Sequence, residues 1–240
     1  MSCLLRAEAI SKTYDTHMGW FRKHSQVALH NVSFELHEGK SLAVMGNNGS
    51  GKSTLAAIIA GAIAPTSGEL FFQGTKLLSG DFKNRAQNIR MVFQDSEASL
   101  NPHKTIGKQL HEALWFNTKL TLTQRNDLIT STLLRVGLLD EHRVFYPYMM
   151  SNGQRQRACI ARAIILNPKV LVADEALANL DTSVRAQILN LLLDLQDDFK
   201  MSYIFITHSP EIAHHMADHV LVLKDGAVES YSLTTTAIEK

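Results

Sequence analysis

The chain has 240 residues, 45% of them hydrophobic and 20% charged, a balance that suits one large α/β domain with a substantial core. A formal net charge of +1 argues against nucleic acid as the main partner, because phosphate-backbone binders carry a basic excess. The two cysteines, Cys3 and Cys159, form no disulfide or zinc spacing, and no apolar run approaches the ~20 residues of a membrane span.

In chain order, Leu4–Ile10 and Val27–Leu36 are apolar-rich and read as β structure, separated by the polar stretch Asp15–Gln26. Ser41–Met45 reads as a buried strand running into a glycine loop, and Leu55–Ala62 as a helix broken by Pro65, Ser67 and Gly68. Strands are expected at Glu69–Gln73 and Ile89–Phe93. Apolar residues at helical spacing follow over Thr105–Asn117 and Thr121–Val136, the second with a Thr121/Gln124 capping box. Gly153–Leu166 reads as a helix stopped by Pro168, Val170–Ala173 as a buried strand, and Thr182–Phe199 as a long amphipathic helix. Ser202–Thr207, Glu211–Ala217 and Val220–Leu223 read as strand, helix and strand. Alternating strands and helices predict a parallel sheet, with the helical stretch near residues 97–155 inserted into it.

Gly46, Asn47, Asn48, Gly49, Ser50, Gly51, Lys52 and Ser53 fit G-x-x-x-x-G-K-[ST], and the motif stands between a predicted strand and a predicted helix, with Thr54 just before the helix. Glycines let backbone N–H groups turn inward around phosphate oxygens, and the helix start favours an anion. Lys52 is expected on the β/γ-phosphates of ATP, and the Ser53 hydroxyl on Mg²⁺. Val170–Ala173 leads into Asp174 and Glu175 at the end of a buried strand. Asp174 is the candidate for the magnesium shell, and Glu175 for the attacking water, as general base or by orienting it. The plainer alternative makes the two acids caps of the helix Thr182–Phe199 or solvated residues at a strand end. His208 follows another buried strand and could contact the γ-phosphate. His214, His215 and His219, with nearby Asp218, raise a metal reading, against which stands a simple solvated helix.

The phosphate loop, Gln94, Ser151–Gln154, Asp174–Glu175, Asp181 and His208 occur in the order found in ABC transporter nucleotide-binding subunits, and the chain resembles that family over about residues 3–230. Met91–Asp95, Ala98–Pro102 and Tyr146-Pro147 resemble the ATPases of dipeptide and oligopeptide transporters. Gly19–Arg22 and Ala173–Ala178 are most similar to the Sap peptide-transport ATPases of the F type. The resemblance implies a P-loop NTPase (RecA-like) ABC ATPase core with an antiparallel β subdomain and an inserted α-helical subdomain. One nucleotide-binding domain would span residues 1–240, with about 1–96 and 156–240 as β subdomain and core and about 97–155 as the helical subdomain.

By the same resemblance, Tyr14 stacks on adenine, the alternative being an ordinary sheet aromatic, and Gln94 touches Mg²⁺ and reports nucleotide state. Ser151, Asn152, Gly153 and Gln154 face the γ-phosphate bound on a second ATPase protomer, the alternative being a plain helix cap by Ser151. Asp181 lies at the protomer interface, and Thr105–Gly137 carries the groove for a permease coupling helix. Two motifs depart from the family: Met150-Ser151-Asn152-Gly153-Gln154 stands for Leu-Ser-Gly-Gly-Gln, and Ala176-Leu177-Ala178 for Pro-Thr-Ser. Asparagine is expected to serve the loop by tolerating a left-handed backbone.

The function implied is ATP hydrolysis energising an inner-membrane peptide transporter, with polyamines or other cations as alternative cargo. Expected partners are transmembrane permease subunits, a paralogous ATPase in a heterodimer and, indirectly, a periplasmic substrate-binding protein. The expected location is the cytoplasmic face of the membrane. The competing function is a regulatory or soluble ABC ATPase acting on a non-transport partner.

Overall fold

The computed structural model describes residues 2–18, 22–78, 80–93, 99–175 and 180–234. Gln94, Gly19–Phe21, Asp95, Ala98 and Ala176–Ala178 therefore lie outside the described residues. The chain divides into two compact units, Met1–Arg85 with Ser202–Lys240, and Ala86–Met201.

The first unit holds two sheets. One is antiparallel, in the order β2 (Arg22–His37), β1 (Cys3–Met18), β4 (Ser67–Phe72), β5 (Thr75–Lys76). Both long strands extend into the polar stretch that the sequence suggested as a break. The ladder continues through Tyr14↔Gln26 and Asp15↔Ser25 to Met18↔Arg22. Antiparallel pairing needs no apolar face where the backbone bonds are themselves satisfied, so hydropathy alone misplaced the strand ends. The apolar parts bury Leu5, Ala7, Ile10, Leu29, Val32 and Phe34.

In the same unit, β3 (Ser41–Gly46) runs parallel to β8 (Ser202–Ile206) on one side and to β9 (His219–Lys224) on the other. β10 (Ala227–Leu233) adds an antiparallel edge to β9. The sequence did not suggest β10, because only a weak alternation marks it and most of its residues are exposed or half-buried. Leu42, Ala43 and Val44 are fully buried, as expected for a central parallel strand covered on both faces. α1 (Lys52–Ala60) and α7 (Pro210–Met216) both touch β3, and Ala43, Ala213 and Val220 form a small apolar cluster. Asp218 fixes the start of β3, accepting from Lys40 Nζ at 2.7 Å and from Ser41 N at 2.9 Å.

The second unit pairs β6 (Ile89–Val92) and β7 (Val170–Asp174) in parallel. Its helices are α3 (Ile106–Asn117), α4 (Leu122–Arg135), α5 (Asn152–Ile164) and α6 (Thr182–Phe199). A short helix, α2 (Phe82–Asn88), spans the sequence boundary between the units. The capping box expected on α4 is present: Thr121 Oγ1 accepts from Gln124 N at 3.3 Å, and Gln124 Oε1 accepts from Thr121 N at 2.9 Å. Two single-turn 3₁₀ segments, Asp140–Val144 and Pro147–Met149, lead into α5. Buried Gln109 stitches the preceding loop to α3. It accepts from Asn101 N and donates to the carbonyls of Asn101 and Lys104. Among the described residues no helix is long and apolar enough to cross a membrane.

Candidate functional site

In the first unit, β3 delivers the chain to the glycine loop at the end of the sheet. Gly46 has φ 146°, and a Cβ there would come within 2.2 Å of the Leu223 carbonyl oxygen. Gly51 has φ 97°, and a Cβ there would meet the Ala28 carbonyl oxygen at 2.4 Å. Only glycine satisfies both demands, a left-handed backbone and close approach. Asn47, Asn48 and Gly49 form the exposed tip of the loop, and Ser53 is exposed in the first turn of α1 beside half-buried Thr54.

Three features show that this loop is shaped for an anion. Gly51 occupies the N-cap of α1 and supplies no side-chain acceptor. A helix start without a side-chain cap concentrates positive backbone dipoles at one point. The Ser50 hydroxyl is buried without a hydrogen-bond partner among the described residues. Lys52 is buried too, and its ammonium is folded onto the loop, donating to the Gly46 and Asn47 carbonyls at 2.8 Å each. A buried cation held by neutral carbonyls is poised for a better acceptor, and a polyphosphate supplies one. The exposed Ser53 hydroxyl is an oxygen donor of the kind that a hard cation such as Mg²⁺ takes.

Because β3 and β8 are parallel neighbours, the loop after Gly46 and the Thr207–His208 turn emerge at the same sheet edge. Thr207 N extends the ladder by donating to the Val44 carbonyl at 3.2 Å, and His208 follows it, exposed. Thr207 Oγ1 accepts from Ser209 N, and Ser209 caps α7. Tyr14, on β1, is 40% exposed, with Lys12 Nζ 5.2 Å from its ring centroid. A cation over one face of an exposed ring is compatible with a stacked base on the other. The histidine group near α7 has other partners: His219 stacks on Tyr231, and the Asp218 carboxylate holds Lys40 and Ser41. Among the described residues no group of three ligating side chains could hold a metal ion.

In the second unit, β7 is buried from Val170 to Ala173 and surfaces at Asp174 and Glu175, both half-buried. Glu175 has φ 44°. A left-handed backbone at a bulky non-glycine residue is strained, and such strain clusters at functional sites. The alternative that these acids cap α6 does not hold, since its N-cap is Asp181. Asp181 is exposed, and its side chain makes no cap hydrogen bond, although its carbonyl accepts from Arg185 N at 2.8 Å.

Ser151–Gln154 opens α5 with a complete capping box. Ser151 Oγ accepts from Gln154 N at 3.3 Å, and Gln154 Oε1 accepts from Ser151 N at 2.9 Å. Asn152 is the first helical residue and has no positive φ. The left-handed backbone expected for it is therefore absent. Its carboxamide oxygen instead accepts from Arg155 Nη2, a contact that an Asn at the first helical position reaches three residues on. Gly153 is closely packed: a Cβ there would meet Val184 Cγ1 at 3.0 Å, so the valine would have to give by a few tenths of an ångström. Sequence reasoning missed His142. This buried ring on the 3₁₀ turn lies 3.2 Å from Gln154 Nε2, and a lone histidine with no periodic context carries no signal of that contact.

The sequence model of the family described as ABC transporter matches residues 29–178. The putrescine export system ATP-binding protein SapF of Escherichia coli K12 is 48% identical over 225 residues, covering 94% of this chain and 84% of that protein. The peptide transport system ATP-binding protein SapF of Salmonella typhimurium LT2 has the same identity and coverage. Among solved structures, an ATP-binding cassette captured as a dimer in a post-hydrolysis state with ADP and Pi superimposes with a TM-score of 0.84. It is 29% identical and is matched over 96% of this chain and 99% of its own.

Proposed function

Because the chain belongs to the ABC transporter family, we propose that it binds and hydrolyses ATP to drive peptide transport across the inner membrane. In this reading residues 1–240 are one nucleotide-binding domain at the cytoplasmic face, joined to permease subunits and to a paralogous ATPase. The observation that carries the ATP reading is the loop itself: a helix start without a side-chain cap, a buried hydroxyl without a partner among the described residues, and a buried lysine donating to two loop carbonyls.

In the first unit, Lys52 leaves those carbonyls for the β/γ-phosphates, and the loop amides from Gly46 to Thr54 surround them. Tyr14 stacks on the adenine, and His208 holds the γ-phosphate region. In the second unit, Glu175 accepts a proton from the attacking water, or orients it, while the water oxygen bonds to the γ-phosphorus and the β–γ bridge bond breaks to release ADP. Ser53, Gln94 and Asp174 are the residues that would hold magnesium, which would neutralise phosphate charge. Ser151–Gln154 and Asp181 serve the nucleotide of a second protomer.

The peptide reading rests on the Salmonella relative, and the Escherichia coli relative of equal identity is named for putrescine export. Polyamine cargo is therefore the second reading. The test is copurification of the chain with its permease, reconstitution in vesicles, and measurement of ATPase stimulation. Stimulation by peptide and not by putrescine supports the proposal, and the reverse replaces peptide with polyamine. A complex that hydrolyses no ATP overturns the enzyme reading itself.

A further inference from the structure

The second unit contains two capping boxes of equal geometry, at Thr121–Gln124 and Ser151–Gln154, each with contacts of 3.3 and 2.9 Å. The second has an added partner. Gln154 Oε1 is engaged by Ser151 N, so its NH₂ group is what faces His142 Nε2 at 3.2 Å. An amide NH₂ only donates, and a neutral imidazole has a single bare nitrogen to accept. The other ring nitrogen, Nδ1, lies 2.9 Å from Leu139 N and 3.2 Å from the Leu139 carbonyl oxygen.

The ring therefore faces N–H donors on both sides and can accept from only one. With the proton on Nδ1, it donates to the Leu139 carbonyl at 3.2 Å and accepts from Gln154, and gives up the contact in which Leu139 N, 2.9 Å away, donates to a bare Nδ1. With the proton on Nε2, it accepts from Leu139 N but sets its own N–H against the Gln154 NH₂. The second arrangement is compatible with Gln154 only if the carboxamide turns over, and turning over opposes the NH₂ to Ser151 N and breaks the capping box. The tautomer of His142 and the state of the Ser151 turn are thus one variable.

We propose that His142 is a positioning residue for the Ser151–Gln154 turn: its Nδ1–H tautomer holds the Gln154 carboxamide so that Ser151 keeps its cap. The ring's position is itself well determined. It is buried, packs edge-on against Phe145 at 5.1 Å, and rides on a turn tied to α4 by Thr130 Oγ1 donating to Asp140 Oδ1 at 2.6 Å. The Phe145 carbonyl accepts from Ile106 N at the start of α3. Shifts of α3 or α4 therefore reach the turn through His142. The catalytic consequence rests on the reading of Ser151–Gln154 as serving a second protomer's ATP, whereas the tautomer assignment does not.

The experiment has two arms. In the isolated full chain labelled with ¹⁵N-histidine, the His142 ring shifts report the Nδ1–H tautomer in the wild type and the Nε2–H tautomer in Gln154→Ala, where Leu139 N becomes the better donor. An Nε2–H ring in the wild type, or no change in Gln154→Ala, overturns the proposal, whether or not the chain hydrolyses ATP. In the copurified complex, His142→Phe keeps the ring packing and removes the acceptor. It lowers kcat about tenfold with KM for ATP unchanged, the size expected for one hydrogen bond. His142→Gln, which restores an acceptor oxygen, recovers most of that loss. Equal activity of His142→Phe and wild type, with the tautomer arm as expected, overturns the positioning role.

Discussion

The starts of α1 and α5 are the two helix N-termini proposed to meet phosphate, and they stand in opposite conditions. At α1 the N-cap is Gly51, which makes no side-chain cap hydrogen bond, and the Ser50 hydroxyl is buried without a partner among the described residues. At α5 the Ser151 hydroxyl and the Gln154 carboxamide satisfy each other, and His142 holds the carboxamide from behind. One helix start is open and waits for phosphate, while the other is closed on itself. Backbone N–H groups left without a side-chain acceptor attract a ligand at once, whereas a capped turn must exchange an internal bond for one to the ligand. The difference fits the two proposed roles, a resident nucleotide at α1 and a visiting one at α5, and makes binding by this chain separable from hydrolysis in the assembly.

The sharpest way to break the comparison is at the chemistry that both helix starts serve. Glu175→Gln keeps the side chain's size on its strained backbone but removes the base. Turnover of the complex falls on the order of 10²–10⁴-fold, while ATP binding to the chain stays within about twofold. Undiminished hydrolysis removes Glu175 from the water-activating role. Next in size, Lys52→Ala removes the ammonium from the open loop and weakens ATP binding about 10- to 100-fold, read by fluorescent-nucleotide titration of the chain alone. The same titration on Ser151→Ala shows no change, since that turn meets another chain's nucleotide. A loss there as large as that of Lys52→Ala would erase the distinction between the two helix starts.

Much of this was legible in the sequence, and the limits have physical causes. The phosphate loop carries its own stereochemistry: Gly46 and Gly51 stand where a Cβ would strike the carbonyls of Leu223 and Ala28, so the motif and the structure state one constraint twice. The central strands were plain because a parallel strand buried on both faces is a short continuous apolar run. The ladder from Tyr14↔Gln26 to Met18↔Arg22 was not, since backbone bonds hold it and hydropathy does not register a ladder. Asn152 was expected to matter through a left-handed backbone, but it is helical and acts through its carboxamide on Arg155. His142 was invisible because its partner lies 12 residues away across a 3₁₀ turn, a separation that matches no helical or strand period.

Asn152 sharpens the comparison at a smaller scale. Asn152→Gly frees Arg155 from the carboxamide and brings the turn closer to the family's Ser-Gly-Gly. It raises the hydrolysis rate at the second protomer's site by about three- to tenfold in the assembled complex, and it leaves ATP affinity of the isolated chain unchanged. An effect on the chain's own ATP binding would place the turn in cis rather than in trans.

The smallest effect is also the best controlled. Thr121 and Ser151 make capping boxes with matching distances in the same unit, so replacing either by alanine removes the same contact, the hydroxyl that accepts from the glutamine N–H. Each substitution lowers unfolding stability by about 1 kcal/mol in urea denaturation, the ordinary worth of an N-cap side chain. Their stability losses agree because the local physics is the same. Their functional losses differ, because only the Ser151 turn has His142 behind it and an incoming phosphate proposed before it. Thr121→Ala leaves the ATPase rate of the complex at the wild-type value, and Ser151→Ala lowers it beyond what a shared 1 kcal/mol of stability explains. Equal rates in the two variants would make the start of α5 a helix cap like that of α4.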